Sequence, residues 1–243
     1  VRAPDRPRAF RRDSGHAGQD WPKHRAITKG RRFVSAIDDA TQRPRLSVLL
    51  PEGWVRIATG EGRDAVIRQI ASRAVVGVDS QRRDMARVRV RNMLDDTLKT
   101  ASDRGLFEVW LPIAPTSGYS IPASFAVGPL PKPPAPDASV QDTLLGLSAA
   151  TPGAQAVEIA GAVAVRTVAD RAAVLSSTGE LEAPPVRLVS YIVSPSETYP
   201  DWTVFTASLF VPEGPESASI VEALEILADS LMATVRIEKA ETA

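Results

Sequence analysis

Residues 189–211, Val-Ser-Tyr-Ile-Val-Ser-Pro-Ser-Glu-Thr-Tyr-Pro-Asp-Trp-Thr-Val-Phe-Thr-Ala-Ser-Leu-Phe-Val, hold two runs of alternating character separated by a turn. Val189, Tyr191 and Val193 share one face of the first run, and Phe205, Ala207, Leu209 and Val211 one face of the second. A period of two is that of a strand with one buried side, so the pair reads as antiparallel neighbours. An amphipathic stretch follows at once, from Ser219 to about Ala233. Ser219 and Glu222 stand in capping-box spacing, and Ile220, Leu224, Leu227 and Leu231 line one stripe. Val235-Arg236-Ile237 then reads as a last strand closing the sheet.

Upstream the same signals recur. Val157 and Ile159 alternate, as do Val163, Val165 and Thr167, and a short helix before them is capped by Ser139 with Val140, Leu144, Leu145 and Leu147 on its apolar side. Residues 129–137, Pro-Leu-Pro-Lys-Pro-Pro-Ala-Pro-Asp, carry five prolines in nine positions and must run extended. Towards the N-terminus, Leu46–Leu50 and Trp54–Ile57 read as strands, Asp64–Val75 as a helix capped by Asp64 and stopped by Gly77. Arg82–Asp103 reads as a longer helix with Ser80 as cap, Gly105 beyond its end, and Val90, Met93, Leu94, Leu98 and Ala101 on one side. Phe107, Val109, Leu111 and Ile113 alternate in the next strand, and Ile121–Val127 gives another after a turn at Pro115–Ser120. Strands grouped in runs with helices at either end specify an α+β fold, a mostly antiparallel sheet with helices packed on it. We expect one composite domain over residues 46–243, crossed by the Pro-rich connection at 129–137, behind a basic disordered tail at 1–45.

The 243 residues balance at 29 basic and 29 acidic side chains, yet the balance is uneven along the chain. Residues 1–46 hold 12 Lys and Arg against five Asp; the rest holds 17 against 24. There is no cysteine, which removes thiolate zinc sites, iron–sulfur clusters and cysteine nucleophiles. Both histidines, His16 and His24, lie in the basic segment. The body therefore lacks the usual proton carrier near neutral pH and cannot supply a Ser-His-Asp triad or an imidazole metal site. No catalytic residue, metal or cofactor is assigned. Arg outnumbers Lys, which suggests a GC-rich bacterial source, and the first thirty residues show no apolar core of a signal peptide, which makes the cytoplasm the expected location with no membrane partner.

Chemistry on carboxylates alone remains open. Asp95-Asp96 and Asp38-Asp39 are adjacent pairs, but neighbours on a helix diverge by about 100°, and Arg91 stands four residues before Asp95 as an ion-pair partner. Glu180 and Glu182 fall in a Ser/Thr/Gly turn and read as surface. Gly60 and Gly62 before a helix fit a phosphate loop poorly, because Glu61 and Asp64 would repel the anion. Arg83, Arg87 and Arg91 recur at i, i+4 and i+8, and we expect this stripe on the helix side away from its apolar residues, facing an acidic protein partner. Tyr199 and Trp202 flank a turn and are expected at a rim, where they would touch a ligand or binding partner. Nucleic acid is expected to bind, if at all, only through the basic tail.

Leu50-Pro51-Glu52-Gly53-Trp54-Val55, Tyr191-Ile192-Val193 before Pro195, and Trp202-Thr203-Val204 to Phe210 with a closing amphipathic helix resemble actinobacterial proteins of α+β type. The element order is similar to the Mog1/PsbP-like sandwich. The resemblance implies an antiparallel sandwich and a non-catalytic accessory or binding role, and it carries over no functional residue. The expected function is a non-enzymatic, protein-binding α+β domain; the alternative is a carboxylate-based hydrolase acting on a small molecule.

Overall fold

The computed structural model describes residues 45–60, 62–114, 121–132, 134–135 and 137–238. The tail with His16, His24 and Asp38-Asp39, together with Glu61 and the Pro115–Ser120 turn, lies outside the described residues. In chain order the elements are β1 (Arg45–Ser47), β2 (Trp54–Ala58), α1 (Arg63–Ala74), α2 (Ser80–Asp103), β3 (Glu108–Pro112), β4 (Ala123–Pro129) and α3 (Val140–Ala150). They continue as β5 (Gln155–Ile159), β6 (Ala162–Arg171), β7 (Val174–Leu175), β8 (Leu181–Ala183), β9 (Val186–Val193), β10 (Thr203–Phe210), α4 (Ser217–Thr234) and β11 (Arg236–Glu238).

Seven strands form one antiparallel sheet in the order β2-β3-β4-β10-β9-β6-β5, which makes the protein an α+β fold. The Pro-rich connection leads from β4 into α3, and β4 and the β5 that follows α3 are strands of this same sheet. In the β9–β10 pair Tyr191 stands opposite Phe205 and Val189 opposite Ala207, so the alternating faces of residues 189–211 coincide. All four side chains are buried. The closing strand behaves differently from the expectation: β11 pairs with β1, not with the main sheet, and Leu46 lies opposite Ile237. Arg56 ties this small ribbon down by donating to the Leu46 carbonyl at 2.7 Å while its fork holds Glu108 at 2.6 and 3.1 Å.

The core has two parts, one on each face of β2 and β3. Trp54 and Trp110 point into the larger cluster, with Phe125, Tyr191, Phe205 and α4; Ile57 points into the smaller one with Ile67 and Ile70 of α1 and Leu94 and Leu98 of α2, and Val109 and Leu111 pack against it. This explains why residues 106–113 are apolar almost throughout: Val109, Leu111 and Ile113 meet the α1 and α2 cluster, while Phe107 packs against the larger one and Trp110 is fully buried in it. Trp110 stacks on Phe125 at 5.4 Å, a contact worth about 1 kcal/mol beyond its buried area.

The starts of α1 and α4 differ from the sequence reading. The first helix begins at Arg63 behind Gly62, whose φ of 82° suits glycine, so Asp64 sits in the first turn rather than at the cap. In α4 the cap is Glu216 and Ser219 is already inside the helix. Its buried stripe is Val221, Leu224, Ala228, Leu231 and Met232, one position round from Ile220, which is exposed. Ser139 caps α3 as the spacing predicts, accepting from the Asp142 amide at 3.0 Å.

Candidate interaction surface

Helix α2 is anchored by its C-terminal half, with Val90 packing against the edge of the same cluster. Its buried residues are Leu94, Leu98 and Ala101, and Arg63 of α1 reaches Asp95 at 3.2 Å. This ion pair takes the place of the expected pair with Arg91. Residues 80–93 run on for about 20 Å at helical rise, with Val90 and Ala86 half-buried and the remainder exposed. The stretch starts cleanly because the Asp79 carboxylate accepts from the Gln81 amide at 2.8 Å. Asp79, not Ser80, is the cap.

The arginine stripe is in this half, with its orientation corrected. Arg87 and Leu94 are seven residues apart, two turns of helix, and so are Arg91 and Leu98; the stripe continues the buried side instead of opposing it. Arg83 donates to the Val78 carbonyl at 3.1 and 3.3 Å, and Arg87 meets Asp84 at 3.0 Å. On the outer side stand Met85, 72% exposed, with Val88 and Met93 at its flanks, 56% and 59% exposed. Arg82 and Arg89 share that outer side. Residues 80–93 thus carry five arginines against Asp84 and present apolar side chains to solvent. Met85, Val88 and Met93 were legible in sequence as an i, i+3, i+8 set lying off the Leu94–Leu98 line.

Tyr199 and Trp202 are not at a rim. Both are buried, at 8% and 9% exposure, and Tyr199 belongs to the main core cluster. Burial, and then the nearby Asp201 charge, raise the Tyr199 phenol to about 12. A ring in that position has no free face to offer a partner, so both leave the set of surface residues.

The carboxylates of α4 are committed elsewhere. Arg166 donates to Asp229 at 2.8 Å and to Glu225 at 3.0 Å; Arg187 donates to Glu225 at 2.8 Å and to Asp170 at 2.7 Å. Tyr191 Oη donates to Asp229 at 2.6 Å. Hydrogen bonding from Arg187 holds Asp170 below the usual carboxylate range. The shared guanidinium pairs and the tyrosine bond clamp α4 to β6 and β9. Among the described residues no three His, Cys, Asp or Glu side chains converge to hold a metal, and no helix is long and apolar enough to cross a membrane.

The sequence matches no protein-family model and no curated protein. The crystal structure of LpqN, involved in cell envelope biogenesis of Mycobacterium tuberculosis, is similar over 83% of this chain and 87% of its own, with 12% identity and a TM-score of 0.39. At that level it carries no argument about function.

The β6–β9 connection holds a second exposed feature. β7 and β8 form a two-stranded ribbon beyond the sheet, with Val174 opposite Ala183 and Leu175 opposite Leu181 across a register shift. Leu175 and Leu181 stand directly opposite each other and so share one face of the ribbon. Val174, Leu175 and Leu181 are half or more exposed. Glu180 and Glu182, assigned to the surface from sequence, are exposed beside them.

Proposed function

We infer that the protein is a non-enzymatic binding domain whose partner is a protein docking on residues 80–93 of α2. The carrying observation is the exposure of Met85, Val88 and Met93 among Arg82, Arg89 and the Arg83, Arg87, Arg91 stripe. Apolar side chains in such a position cost nothing to hide and are rewarded by about 25 cal/mol per Å² when a partner covers them. The arginines select an acidic partner and speed its encounter. Nucleic acid fits less well, since phosphates give no return for covered methionine, and the chain beyond residue 46 is net acidic.

The test is a photo-reactive residue in place of Val88 in the native host, with the same group at exposed Glu222 of α4 as control. We expect a protein adduct specific to position 88, and an affinity for that partner lowered about tenfold or more by R82E/R89E. Equal labelling at both positions, or capture of lipid or nucleic acid alone, would overturn the reading.

A further inference from the structure

The ribbon and the helix are complementary. Between Val174 and Ala183 the only charged side chains are Glu180 and Glu182, and the exposed Leu175 and Leu181 pair across one face. Residues 80–93 present an apolar strip with Arg82 and Arg89 beside it. Pairing ribbon with ribbon would set four glutamates together, and pairing helix with helix would oppose arginines; only ribbon on helix covers both apolar surfaces while placing opposite charges side by side.

We propose that the partner seated on α2 is a second copy of this chain, offering the Leu175–Leu181 pair of its β7–β8 ribbon to Met85, Val88 and Met93. The inference rests on the reading of α2 as a docking surface and names its occupant. Because two different surfaces meet, the contact is heterologous, and each chain brings one donor and one acceptor patch. A two-stranded ribbon standing free of the sheet is marginally stable by itself, so cover on Leu175 and Leu181 also fixes its geometry.

The absence of native cysteine allows a direct experiment on the full chain. L181C protein is mixed with M85C protein and treated with a short bis-maleimide linker, each variant also being treated alone. We expect the mixed product to dominate over either like-with-like product, and wild-type sedimentation to depend on concentration. R82E/R89E alone and E180R/E182R alone should each weaken association about tenfold, and mixing these two should restore it, since the wild-type helix of one chain meets the wild-type ribbon of the other and the two altered patches also carry opposite signs. Circular dichroism establishes that each variant is folded, and mutual rescue by two folded variants is a result that a general loss of structure cannot give. A chain monomeric at every concentration, or cross-linking confined to L181C with L181C, overturns the proposal. If the chain is monomeric but position 88 still captures a different acidic protein, this inference fails while the docking role of α2 stands.

Discussion

Tyr191 Oη lies 2.6 Å from Asp229 Oδ1, so a tyrosine whose ring is buried beneath α4 donates its proton to a carboxylate on the helix that covers it. Arg166 Nε binds the same oxygen at 2.8 Å. Strand β9, strand β6 and helix α4 are thereby joined at one atom, which sets the rotation of α4 on the sheet.

Removing that hydroxyl tests the joint. Y191F keeps the ring and deletes one charge-assisted bond, and the cost is about 1–2 kcal/mol because Asp229 retains Arg166. Urea unfolding followed by circular dichroism should show a lower midpoint with an unchanged slope. The pH dependence has a definite sign. Burial and the bond to Asp229 raise Tyr191 above its ordinary value, and burial raises Tyr199 to about 12. A raised tyrosine contributes stability that is complete below the unfolded value near 10 and is lost as pH climbs towards the folded value. Wild-type protein should therefore lose stability above pH 10 more steeply than Y191F.

Arg166 has an 11% exposed side chain and answers two carboxylates. R166A leaves Glu225 and Asp229 without that counter-charge and should cost about 3 kcal/mol, a fall in Tm of roughly 6–12 °C for a chain of this size. R166K restores the charge but not the planar fork, and calorimetry should place it between the two.

Gly53 and Gly62 share a φ of +82° and differ in surroundings. A Cβ at Gly53 would lie 2.8 Å from the Ala114 carbonyl oxygen, whereas one at Gly62 meets nothing within 4 Å. G62A should cost about 1 kcal/mol, the backbone term alone, and G53A about 3 kcal/mol because a backbone clash is added. Chemical denaturation of the two variants side by side gives the difference.

Trp202 and Tyr199 act through the core, and Arg87 and Arg91 do not. W202A should cost about 3–5 kcal/mol, and Y199A a comparable amount. R87A and R91A should stay within about 0.5 kcal/mol of wild type, since both are exposed and Arg87 pairs with exposed Asp84. Equal destabilisation across the four variants, read as thermal midpoints, would contradict the placement of the two rings.

Much of the architecture was legible. The α+β class followed from strict alternation at Val189, Tyr191 and Val193 and at Phe205, Ala207 and Leu209, because period two on both sides of a turn leaves few alternatives to an antiparallel pair. The exposure of the Arg83, Arg87, Arg91 stripe was legible too, since arginines are rarely hidden without partners. Its direction was misjudged: Met93, counted among the inward residues, is exposed, and Arg87 falls on the line of Leu94. The Leu175–Leu181 pair was hidden because it depends on how two short strands pair, which neither strand announces alone.

By itself the sequence determined element type and chemistry withheld: local periodicity and capping act within a few residues, and the body beyond His24 has neither imidazole nor thiol. Only tertiary structure decided that β11 joins β1, that Trp110 and Val109 serve two separate cores, that Tyr199 and Trp202 are interior, and that half of α2 stands uncovered. Those outcomes are set by pairings between residues far apart in the chain, and which face of an apolar element is buried is fixed by what packs against it.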